Sequence, residues 1–437
     1  RVLGTAGERP EGALRVLHDA AAGKSTVDPG RIIDIVEEFG RHQAAAPGGC
    51  KTGNYLPADA ARTYPFSNEG APDRFQLALP GQQGPGRRVW LHERVANEDA
   101  IQACIRSLAR SKAPGPDGVT NEVLLALPPS GVRGLHALFQ SMWAAGRTPD
   151  AWKESRTVML YNNNSVLQLP NYRRVGLENT VYKLWTRVVT YTVMDFSERA
   201  GILSSNQWGF RPRRGTLQPL EMLVMALEDA KVSRQNIYLL MVDFSAAFDT
   251  IYQDKLLMIM YDLGFPTDAI EVVRNLYDGA STTFQTPGGP TAAVPIDRGT
   301  IQGDGLSPFL FALYLEPLLR WLHMGERGYV PRCLERESGD AAAALKDHVS
   351  SCTYADDLNL FTETPEDLQR QSDKVTAYAD WGSLLVSSTK AAATAALHKL
   401  APDAPFDAAQ VERQLGGLTI QRAKVKVVPP RDPFSFL

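Results

Sequence analysis

Leu240-Met-Val-Asp-Phe-Ser-Ala-Ala-Phe-Asp249 decides how this chain is read. An almost unbroken apolar run from Ile237 suits a strand buried on both faces, and it ends at Asp243. A second run, Ser350 to Thr362, has Tyr354-Ala-Asp-Asp357 at its centre and reads as a hairpin with the two aspartates at its tip. Buried strands that end in carboxylates suit a two-metal phosphoryl-transfer site, in which adjacent cations about 3.5–4 Å apart need several acidic groups on rigid elements. Asp243, Asp356 and Asp357 are the candidates. Each has a plainer reading as a cap or turn residue, so the case rests on the surrounding sequence.

Working outward, the pattern predicts helices over 97–109, 121–127, 134–145, 181–198, 217–231, 252–263, 268–277, 306–324, 365–383 and 391–399. Strands are expected at 157–161 and 237–243, with hairpins over 281–296 and 350–362. Near the N-terminus, 31–42 has helical periodicity and 12–22 reads as a short helix. Gly/Pro/Ala-rich stretches make up much of the rest of 1–92. Lys112-Ala-Pro-Gly-Pro-Asp-Gly118 is a turn-dense stretch that excludes regular structure.

At 437 residues and 44% hydrophobic composition, the chain can bury a large core. No apolar run reaches the roughly 20 residues of a transmembrane helix, so no membrane partner is expected. The four cysteines are far apart with no Cys-x-x-Cys pair, which argues against a zinc knuckle and a disulfide framework. A net charge of −3 is unusual for a polyanion binder, but the basic surplus is local. Residues 151–234 hold twelve Lys or Arg against seven Asp or Glu, densest at Arg211-Pro-Arg-Arg214.

Seven blocks occur in a fixed order: Lys112-Ala-Pro-Gly-Pro-Asp-Gly-Val-Thr, Asn171-Tyr-Arg-Arg-Val, Gln207-Trp-Gly-Phe-Arg-Pro-Arg-Arg-Gly-Thr, Val242-Asp-Phe-Ser-Ala-Ala-Phe-Asp, Gly299-Thr-Ile-Gln-Gly-Asp-Gly-Leu-Ser-Pro, Tyr354-Ala-Asp-Asp and Leu415-Gly-Gly-Leu. Together they resemble the reverse transcriptases of non-LTR (LINE-type) retrotransposons over about 95–427. The resemblance implies an α+β right-hand polymerase fold with an α/β palm, fingers, and a short or truncated thumb. It implies a poorly structured region at 1–92, fingers and template side at 93–235, palm at 236–400, and a primer-grip-like segment at 401–437. The opening on Arg1 and the early stop suggest a fragment of a longer polyprotein.

The implied activity is RNA-directed DNA polymerisation: nucleotidyl transfer from a dNTP to a primer 3′-hydroxyl, with an RNA template and a DNA primer as partners. Two Mg2+ ions, with Mn2+ as a substitute, would be held by Asp243, the Phe244 backbone carbonyl, Asp356 and Asp357. Arg173 would reach the triphosphate, Phe248 would exclude a 2′-hydroxyl, Gln302 and Gly303 would line the nucleotide, and Lys390 would protonate pyrophosphate. Arg211, Arg213 and Arg214 would line the template path, and Leu415 and Gly416 the primer. A nuclear site of action is implied by the resemblance alone.

The sequence departs from the family in the fingers. Asn162-Asn-Asn-Ser165 stands where lysines are usual, Arg174 replaces a proline, and Gln414 replaces an aromatic residue. Asparagine supplies no charge to balance a triphosphate. These changes support a second reading, a weakened or inactive nucleic-acid-binding copy of the same fold. A third, another two-metal nucleotidyl enzyme such as a cyclase, is disfavoured by Gln302-Gly303 and the basic stretch.

Overall fold

The computed structural model describes residues 16–45, 95, 97–162, 165–301, 303–323, 328–332 and 349–428. They form two compact units, one of 16–45, 95–195 and 252–307, the other of 196–251 and 308–428. This division does not follow the linear boundary at 235/236. Strand Ser281–Thr286 pairs in parallel with Glu154–Tyr161, which draws 252–307 into the first unit.

In the first unit, Glu154–Tyr161 lies between Ser281–Thr286 and the antiparallel strand Tyr172–Leu177. The last strand is one that the sequence pattern does not predict. Helix Pro29–Ala44 starts at Asp28, whose carboxylate accepts from the backbone N–H groups of Gly30 and Arg31. It brings Ile32 and Val36 into a core with Met159, Leu169, Tyr172, Phe284 and Val294. The described part of the helix expected at 12–22 is instead a strand, Leu17–Asp19, paired with Lys24–Thr26. Asp19 accepts from the N–H groups of Ala21 and Ala22 and forms two hydrogen bonds with Arg31, and Gly23 takes φ +65. Side-chain bonding to the local backbone favours the turn over a helix here.

The second unit is built on Asn236–Ser245. Strand Asp357–Thr362 flanks it on one side and Ala392–Leu397 on the other, both antiparallel. Ala392–Leu397 corrects the helix expected at 391–399. Alanine has the highest helix propensity, yet all six residues are buried between two strands, Asn236–Ser245 and Lys426–Val427. Tertiary burial overrides propensity where only a small side chain fits. On one face of the sheet, Ile237 and Leu239 pack with Ala226 and Ala230 of helix Leu217–Ser233, together with Cys352 and Phe361. Among the described residues, no helix is long and apolar enough to cross a membrane.

Candidate active site

The hairpin expected around Asp356 is formed by Ser351–Tyr354 and Asp357–Thr362, joined through Ala355 and Asp356. Asp356 is therefore at the tip, while Asp357 opens the second strand. Ala355 takes φ +58, a left-handed conformation that costs a non-glycine residue about 1–2 kcal/mol. The turn is buttressed. Gln207 is fully buried, and its Oε1 accepts from the N–H of Ala355 at 3.2 Å and of Gly209 at 2.9 Å. Trp208 N–H donates to the Thr353 carbonyl, and Thr353 N–H to that of Asn206, both at 2.8 Å. A Cβ on Gly209 would lie 2.2 Å from the Ala355 nitrogen, so this glycine is needed for close backbone approach.

The antiparallel register sets Asp357 directly opposite Asp243. Directly paired residues share one face of a sheet, with Cβ atoms about 4.5–5.5 Å apart. Carboxylates more than a hundred positions apart in the chain thus meet within the span of a small ion cluster. Burial raises the pKa of Asp356, and the Asp243 charge adds to it. Burial also raises that of Asp357, followed by the charges of Asp356 and Asp243. The Lys390 charge opposes both shifts. Its Nζ donates to both carboxylate oxygens of Asp243, at 3.0 and 3.1 Å. Among the described residues, no three Asp, Glu, His or Cys side chains are already grouped at metal-binding distances.

The remaining sequence candidates differ in their surroundings. Phe244, next to Asp243, is buried and paired with Val386. Phe248 is half-buried, with its ring 5.4 Å from that of the buried Phe311. Arg173 is exposed on Tyr172–Leu177, opposite Leu160. Gln302 lies outside the described residues. Gly303 takes φ +116, and a Cβ there would lie 2.8 Å from the Gly176 carbonyl oxygen. Within its own unit, this glycine lets the loop press on Tyr172–Leu177.

The three template-side arginines differ in exposure. Arg211 is buried, and its guanidinium bonds both Glu198 carboxylate oxygens and the carbonyls of Ser204 and Gln207. These bonds tie the loop that carries Gln207 to Glu198. Arg214 lies 4.7 Å from the Trp208 ring centroid and bonds the carbonyls of Ser205 and Gln207. Arg213 is exposed. Leu415 is also buried, ending helix Ala408–Leu415, and Gly416 is the cap. Gln207 and Gly209 shape the site through contacts nearly 150 residues away in the chain, which no local spacing in 207–216 signals.

The family model described as reverse transcriptase (RNA-dependent DNA polymerase) matches residues 162–437, more than half of the chain. The chain belongs to the reverse transcriptase family. This reverse transcriptase chain is 26% identical over 308 residues to the Pol polyprotein of the type-2 retrotransposable element R2DM of Drosophila melanogaster, covering 69% of this chain and 26% of that protein. It is 23% identical to the RNA-directed DNA polymerase of the mobile element jockey from the same fly, covering 75% and 33%. It is 28% identical to the Pol polyprotein of an R2 element of Popillia japonica, covering 62% and 35%. The expected resemblance to non-LTR retrotransposon reverse transcriptases is borne out. The chain spans about a quarter to a third of these relatives' length. A telomerase structure from Candida tropicalis, in complex with a fragment of telomeric RNA, aligns with a TM-score of 0.40 at 12% identity, covering 62% of this chain and 45% of that one.

Proposed function

We propose that this reverse transcriptase chain is an RNA-directed DNA polymerase module of a retrotransposon, extending a DNA primer with deoxynucleotides on an RNA template. The observation that carries the reading is the pairing of Asp243 with Asp357 beside Asp356, on strands buried in the core. The donor set suits Mg2+ or Mn2+, which take hard oxygen ligands, and bound cations would offset the burial and the mutual repulsion that raise both hairpin aspartates. Asp243, Asp356, Asp357 and the Phe244 carbonyl would hold two ions. These would supply charge neutralisation at the α- and β-phosphates and acidify the primer 3′-hydroxyl.

The protein's own residues do the positioning. The buttress of Gln207 and Gly209 fixes the hairpin tip, and the sheet fixes Asp243. Rigid placement of this kind supplies much of the rate in phosphoryl transfer. Phe248, seated against Phe311, is a bulky ring at the edge of the core and would reject a 2′-hydroxyl by steric clash. Arg173, exposed on its strand, would bind the triphosphate. Arg213, exposed on the buttress loop, would contact template phosphate. A nuclear site of action is part of the same proposal and rests on the retrotransposon resemblance alone.

The test is primer extension on an RNA template with Mg2+ and dNTPs, beside Asp356→Ala. Extension by the wild-type chain and a loss of at least about a thousandfold in the variant are expected, the scale of removing a principal electrostatic element. Equal extension by both would rule out the site. Template binding without extension by either would favour the weakened-copy reading, for which Asn162 in place of a lysine is the motivation.

A further inference from the structure

We infer that Lys390 is an internal cation that competes with a divalent metal for Asp243, so that metal loading requires the ammonium to leave. The inference rests on the polymerase reading of the three aspartates. The ammonium engages both Asp243 oxygens, at 3.0 and 3.1 Å, and those are the oxygens a metal would use. A divalent ion held by these oxygens would leave no room for a second cation on the same lone pairs, and the two positive charges would repel.

The backbone places the two rivals together. Ser387 N–H donates to the Asp243 carbonyl at 2.9 Å, and Lys390 N–H donates to the Ser387 carbonyl at 3.1 Å. The turn that carries Lys390 therefore hangs from the residue whose carboxylate it covers. Val386 pairs with Phe244 and Leu385 with Ser245, which fixes the root of the turn. The two side chains differ in freedom. Lys390 is 66% exposed and ends in a flexible four-carbon stem, while Asp243 is 18% exposed on a central strand. Lysine is the partner that can move. A polyphosphate arriving at the site would offer the ammonium another counter-ion, so substrate and metal would favour one another's binding.

Mn2+ binding to the whole chain, followed by the electron paramagnetic resonance of free Mn2+, tests this without any turnover. Lys390→Met is expected to bind Mn2+ roughly three- to tenfold more tightly than wild type, whereas Lys390→Arg, which keeps the charge, should bind as weakly as wild type. By reciprocity, saturating Mg2+ should speed acylation of the Lys390 amine, read by mass spectrometry, and Asp243→Asn should already label fast without metal. Unchanged or weaker Mn2+ binding by Lys390→Met, or labelling indifferent to Mg2+, would overturn the inference. Asp243→Asn that binds Mn2+ as well as wild type would instead bring down the metal-site reading itself. Weak binding by Asp243→Asn with no effect of Lys390→Met would bring down the competition alone.

Discussion

In the sheet around Asn236–Ser245, both faces are covered: residues 236–242 and all of Ala392–Leu397 are buried. In the sheet around Glu154–Tyr161, burial alternates at 155, 157 and 159, and the strand ends on two exposed residues. A covered strand has no slack, because each side chain is fixed by neighbours on every side. Its last residues can then carry charged groups in set positions, as Asp243 is carried. The half-open sheet gives up that rigidity and presents groups such as Arg173 to solvent. The two sheets thus differ in their degree of enclosure, each within its own unit.

Overfilling the covered sheet should produce the largest effect. Ala393, fully buried between Leu240 and Val427, has no room for more carbon, so Ala393→Leu is expected to cost about 3 kcal/mol or more by chemical denaturation. A loss under 1 kcal/mol would mean that this sheet is looser than its burial implies. Gly303→Ala, in the other unit, combines a left-handed backbone with a Cβ 2.8 Å from the Gly176 oxygen, and about 2 kcal/mol should be lost. A neutral result there would show that the loop can withdraw from its strand.

A smaller effect is expected from pH. Asp304 is buried, which pushes its carboxyl up to about 6. A raised carboxyl favours the protonated folded state, so its contribution is fully present below about pH 4 and lost as pH rises through about 6. Asp304→Asn should therefore flatten the dependence of the melting temperature between pH 4 and 7 and raise stability at pH 7 by about 1–2 kcal/mol. An unaltered pH profile would show that the loss comes from elsewhere. Smallest of all, Val158→Thr on the half-buried face should stay within about 0.5 kcal/mol. A loss like that at Ala393 would erase the contrast between the sheets.

The carboxylate geometry was legible because an apolar run ending in Asp leaves little choice of face or register. Most helices were legible from periodicity. The strand Ala392–Leu397 was not, since alanine signals helix until its neighbours are known, and neither was Tyr172–Leu177, where Arg173 and Arg174 break the apolar pattern. Arg211 looked like a phosphate ligand because its partner Glu198, thirteen residues earlier, sits at the end of a long helix where no local spacing rule applies. The ion pair between Lys390 and Asp243 joins residues 147 apart and has no sequence signal.

The clamp from Gln207 onto the Ala355 turn spans 148 residues of chain. During synthesis from the N-terminus, the segment that receives the acidic tip emerges long before the tip itself. A nascent chain ending short of residue 355 already has the cradle and one carboxylate but cannot assemble the full acidic centre. The three carboxylates can therefore be brought together only once residue 357 has been made, well after Gln207.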